Sequence, residues 1–151
     1  MKEMILAQLC GLFLIASSAL GTDADGILGL WNTPGDESSI EIFKCGDKYC
    51  GRIAALKEPN YTTEDKVGIP GQPVLDRENP NPDLRNHTLL GLQLMEGFSY
   101  AGGNVWEGGR IYNPDNGKTY RCKITLSTPN RLEVRGFIGF TLFGRDSIWS
   151  R

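Results

Sequence analysis

His87 is the single histidine of this chain, and with Ser99 in the stretch GFSYA it comes nearest to a hydrolytic constellation. A nucleophilic serine needs a sharp turn flanked by glycines, and GFSYA supplies half of that pattern, so His87 reads as a solvated or capping residue. Carboxylates are more plentiful. Asp76, Glu78 and Asp83 crowd one segment and Glu107 adjoins Trp106, which is the raw material for acid–base attack on a glycoside. In a turn-rich segment the same residues form a solvated surface, and that reading is preferred over a small hydrolase. The DADG run at 23–26 and the DNG run at 115–117 lack the later bidentate acid of a calcium loop. The pair Cys45 and Cys50 has no second Cys/His pair to complete a metal site. No catalytic residue, metal or cofactor is therefore assigned.

Two other groupings remain. Asp76 and Arg85 lie nine residues apart and could clamp the base of a loop through a charge-assisted pair, with Asn79 satisfying turn amides. Trp106, Arg110 and Tyr112 share one face of a regular strand, with Val105 and Ile111 on the other. Pointing inward beside Tyr120 and Arg135, they would line a ligand site with aromatic walls and cations, suited to a small amphipathic acid. Pointing outward, they would form an aromatic and basic patch suited to a protein partner.

The elements that must position these residues are strands. Short alternating runs are predicted at 28–33, 39–45, 50–56, 89–98, 105–112, 118–126, 131–138 and 141–150, separated by glycine, proline, asparagine and aspartate. NPDNG at 113–117 and STPN at 127–130 are tight turns, and GFIGF at 136–140 lets the chain bend sharply between the last two strands. The expected fold is all-β, an up-and-down antiparallel barrel of about eight strands, because closing a meander removes its exposed edges. One long proline-rich segment, 57–87, interrupts it and can be neither a central strand nor a helix. A loop of that length is a lid, a functional site or a small structure of its own.

Residues 1–21 have a basic start at Lys2, an apolar run and an Ala-Leu-Gly end, the pattern of a cleaved signal peptide. The expectation is a leader at 1–21, a single barrel domain at 22–151, and a mature chain that is periplasmic or secreted with no transmembrane segment. The formal charge of −2 and the lack of a Lys/Arg cluster argue against a nucleic-acid partner. KCGDKYCGR reads as a hairpin whose flanking cysteines, Cys45 and Cys50, form a disulfide, as suits an oxidising compartment. Cys10 leaves with the leader, and Cys122 alternates with Arg121 and Lys123 in YRCKITL, which makes it an inert buried thiol.

Gly29-x-Trp31 at the start of the first strand resembles the lipocalin and wider calycin pattern. That resemblance implies that the indole closes one end of the barrel, with Trp149 nearby and a cover supplied by Arg151 or Arg145. A closer resemblance spans nearly all of 29–149. Cys45-Gly46 with Cys50-Gly51, Asp76 with Asn79 and Arg85, Gly91, WEGGRIYNPDNGKTY, LEVRGFIG and Gly144-Arg145 with Trp149 are similar to a family of small exported bacterial proteins, domain of unknown function 2147. It implies a small lipocalin-like barrel and no established catalytic residues. The expected function is non-enzymatic binding of a small amphipathic or apolar ligand. The alternative is an interaction module of the cell envelope, such as an enzyme inhibitor or assembly factor, with a small hydrolase behind both.

Overall fold

Strands whose apolar side chains alternate with polar ones close into one antiparallel barrel in the computed structural model, which describes residues 23–139 and 144–151. The strands are β1 (Gly29–Asn32), β2 (Ser38–Cys45), β3 (Lys48–Leu56), β4 (Gln93–Gly102), β5 (Val105–Asn113), β6 (Lys118–Thr128), β7 (Arg131–Phe137) and β8 (Gly144–Ser150). Each pairs with its neighbour in sequence, and β1 pairs with β8 through Asn32 and Ser150, which closes the ring. Among the described residues there are also three short 3-10 turns, Ala24–Ile27, Pro34–Asp36 and Pro82–Leu84. No described helix is long and apolar enough to cross a membrane. The expected leader at 1–21, with Lys2 and Cys10, lies outside the described residues, as does the expected start of the last strand at Thr141.

Inward-facing side chains fill one half of the barrel. Trp31, Phe98, Trp106, Ile124 and Leu132 are almost fully buried there, together with Ile42 and Tyr49. Cys122 lies on the inner face as its alternation required, and burial pushes its thiol up to about 12.

The β2–β3 hairpin is tighter than its sequence suggested. Its turn is Gly46 and Asp47 alone, with Gly46 at φ +68°, so Lys48 and Tyr49 already belong to β3. Cys45 and Cys50 are bonded across it, with Cα atoms 5.9 Å apart. Strand β4 starts four residues later than expected, because Leu89, Gly91 and Leu92 form a turn: the Leu92 amide donates to the Leu89 carbonyl, and the Gly91 amide to Ile53.

Residues 57–92, between β3 and β4, form a compact substructure. It contains the isolated bridges Asn60–Pro73 and Leu75–Thr88, and it packs around Tyr61. The Tyr61 hydroxyl accepts hydrogen bonds from the Leu75 amide and from Arg77 Nε, and the Arg77 guanidinium lies 5.3 Å from the ring centre. Proline removes backbone donors from this segment, so side chains take over the satisfaction that a ladder would supply.

Candidate functional site

The two ends of the barrel differ. At one end the 3-10 turn Ala24–Ile27 is the stopper. Its carbonyls receive three side chains: Trp31 Nε1 donates to Ile27 at 2.8 Å, Trp106 Nε1 to Ala24 at 3.0 Å, and Arg151 to Gly26 at 3.0 Å. Tyr49 donates to Asp25 at 2.7 Å, and Lys44 pairs with the same carboxylate at 3.0 Å. These two hydrogen bonds hold the Asp25 carboxyl below its ordinary range, while burial and then Asp25 push Tyr49 up to about 12. Arg151 covers Trp31, with its guanidinium 4.1 Å from the ring centre, and also donates to the Leu28 and Pro129 carbonyls. Gly29 has φ +109°, a conformation that a side chain would strain, which is why glycine precedes the tryptophan by two.

The opposite end is open. A cavity of about 790 Å³ lies there, bounded by Ile40, Ile53, Leu56, Leu94, Ile111, Val134 and Trp149, with Leu89 contributed by the long substructure. Its polar lining includes Tyr112, Tyr120, Ser147 and Arg145 near the mouth, with Glu37 and Asp115 as the acids. Lys57 pairs with Glu37 at 3.0 Å. The volume falls within the range of small-molecule sites, about 300–1,000 Å³.

Strand registers decide which expected site residues meet here. Trp106 is inside, but at the stopper end, away from the cavity. Between Trp106 and Gly109 the register of β5 slips, with Gly108 at φ +79°, so Glu107 and Gly108 both face out and Gly109 packs inward on Phe98. The bulge reverses the alternation. Arg110 is therefore on the outer surface opposite Glu96, and Ile111, expected on the other face from Trp106, lines the cavity. Arg135 is also outside the barrel, bound to the Asp146 carboxylate at 2.7 Å, because its neighbours Val134 and Gly136 face in. Tyr112 and Tyr120 do line the cavity. Trp149 lies in the cavity wall, and its Nε1 donates to Ser147 at 2.9 Å. Arg145, one of the two candidates for covering Trp31, is at the other end.

The expected clamp has different partners. Asp76 is 1% exposed, and its oxygens accept from the Tyr112 hydroxyl at 2.6 Å and from Asn79 Nδ2 at 2.7 Å. Arg85 does not pair with Asp76; its Nε donates to the Asn79 carbonyl at 2.7 Å, and Asn79 Oδ1 accepts from the Asn81 amide. Burial and then Asp76 hold the Tyr112 hydroxyl well above its ordinary range. His87 contributes its backbone carbonyl to the Asp76 amide, and Ser99 lies in β4, where it accepts from Lys48 Nζ at 2.6 Å. Among the described residues no group of acids, histidines and cysteines is arranged to hold a metal.

The family model described as "Uncharacterized protein conserved in bacteria (DUF2147)" matches residues 29–151. The chain belongs to the DUF2147 family. No curated protein matches it. Among solved structures, this DUF2147 barrel is similar to protein HP1028 from the human pathogen Helicobacter pylori, which is described as belonging to the lipocalin family. The two share 23% identity, with 82% of this chain and 81% of that one covered and a TM-score of 0.66. The likeness establishes a lipocalin-like fold for the DUF2147 chain. In its site, the apolar walls from β3 and β4 and the inward Arg145 had no individual signature; alternation counted back from Trp149 through Ser147 is the signal that reaches Arg145.

Proposed function

We propose that this is an exported, non-enzymatic binding protein that holds a small apolar or amphipathic molecule in the open half of its barrel. The observation that carries the reading is the mouth cavity, about 790 Å³ and walled by aliphatic side chains and Trp149, in a barrel whose other end is stoppered. The Cys45–Cys50 disulfide and the leader-like N-terminal sequence support export. Each buried methylene contributes about 0.8 kcal/mol, so a tail of about eight carbons supplies roughly 6 kcal/mol. Micromolar binding needs about 8 kcal/mol, so a polar contact at the mouth must add to it.

The test is native mass spectrometry of protein purified without detergent, followed by organic extraction and by titration with a fluorescent amphiphile. A defined extra mass that extracts as a small amphiphile, or saturable fluorophore binding, is expected. Gly136→Val should weaken it, because a Cβ at Gly136 enters the cavity with only ordinary contacts to Tyr120 and Ile111. Bare protein that binds no fluorophore would move the function to the outer surface and a protein partner.

A further inference from the structure

We propose that Arg145 is the anchor for an anionic head group, so that the preferred ligand is an amphipathic acid entering tail first. The inference rests on the binding reading above and names the chemistry of the ligand's exposed end. On β8, Asp146 faces outward to Arg135 and Ser147 faces the cavity, which puts Arg145 on the inner register. Its partner in β7 is Gly136, which puts no side chain into the cavity at that register.

The other arginines that face ordered partners are spent. Arg151 holds three carbonyls and Trp31, Arg52 holds Glu41, and Arg85 holds the Asn79 carbonyl. Arg145 makes no hydrogen bond or ion pair with a described residue, although it lines a cavity that is otherwise mostly apolar. A guanidinium has five donors in a planar fork that fits a carboxylate with two parallel bonds. Of the two acids at the mouth, Glu37 is engaged by Lys57, and Asp115 sits on the exposed β5–β6 turn, where solvent screens it. The mouth therefore offers an incoming anion a fork that no described residue engages, above walls that accept its tail.

The experiment compares three probes with the same dansyl-tagged undecyl chain, ending in a carboxylate, a methyl ester or an ammonium group. The carboxylate should bind about three- to tenfold tighter than the ester, with a margin that shrinks as salt is raised. Arg145→Gln should erase that margin by bringing acid binding down to the level of the ester, and Arg145→Lys should keep part of it. Because Arg145 is exposed and engages no described residue, thermal unfolding of both variants should match the parent. Equal binding of acid and ester, a margin that survives Arg145→Gln, or preference for the ammonium probe would overturn the anchor while leaving the cavity in use. If no probe binds, the anchor and the binding reading fail together.

Discussion

The Tyr112 hydroxyl donates to Asp76 Oδ1 at 2.6 Å, joining the mouth end of β5 to the buried heart of the 57–92 substructure across 36 positions of sequence. Removing that donor leaves a buried carboxylate oxygen short of a partner, which costs about 1–3 kcal/mol or more for a charged group. Tyr112→Phe should therefore lower stability by about that amount in urea unfolding. Limited proteolysis should cut first within 77–87. Unchanged stability with an intact substructure would show that the hydrogen bond is dispensable.

Arg151 and Arg145 make a matched pair of substitutions. Arg151→Ala gives up the indole face and three carbonyl contacts, and should cost about 2 kcal/mol. Arg145→Ala should stay within about 0.5 kcal/mol of the parent. Thermal melts of the two variants check that Arg151, and not Arg145, is the cover of the stopper; a larger loss at Arg145 would reverse that division.

Gly117 closes the β5–β6 turn at φ +69°, and a Cβ there would overlap the Glu78 carbonyl oxygen of the long substructure. Gly117→Ala combines backbone strain with a backbone clash and should cost about 1–3 kcal/mol. Faster amide exchange at 76–79 is the local readout. A parent-like exchange pattern would mean that the turn and the substructure are not packed together.

Alkaline pH should weaken the stopper. Tyr49 is held protonated to about 12 in the folded chain against 10.0 ordinarily, so its contribution is fully present below pH 10. Above pH 10 the unfolded chain releases the proton first and binds fewer protons than the folded one, so stability falls as pH rises towards 12. Tyr112, shifted in the same direction, adds to the fall. Asp25 has the opposite sense: its lowered pKa gives stability above the ordinary carboxylate range, lost as pH falls through the folded value. Denaturation midpoints between pH 9 and 12 for the parent and Tyr49→Phe check this; the slope should be shallower in the variant.

The barrel was legible because a period of two survives in single strands: Tyr120, Cys122, Ile124 and Leu126 alternate inward as their types require. Where a strand carries a bulge, parity counted from the sequence fails. The slip after Trp106 sent Arg110 outward and brought Ile111 in, although glycine at 108 and 109 was the visible hint. Tyr49 looked like part of a turn because its neighbours are turn formers; only the two-residue hairpin shows it to be core. The Tyr112 partner of Asp76 and the division of labour between Arg145 and Arg151 depend on contacts between segments far apart in sequence. Local pattern does not carry such contacts, so two arginines six residues apart, one at each end of the last strand, could not be told apart.

The stopper also sets an order of events. The 3-10 turn before β1 is held by the arginine that follows β8, across 125 positions between Gly26 and Arg151. Until the eighth strand has been synthesised, neither the ring nor the cover over Trp31 can form. A growing chain must therefore wait for that strand, and closing a loop over that distance makes the final locking step slow. Any machinery that needs to thread this polypeptide through a narrow passage would have that interval in which to do it.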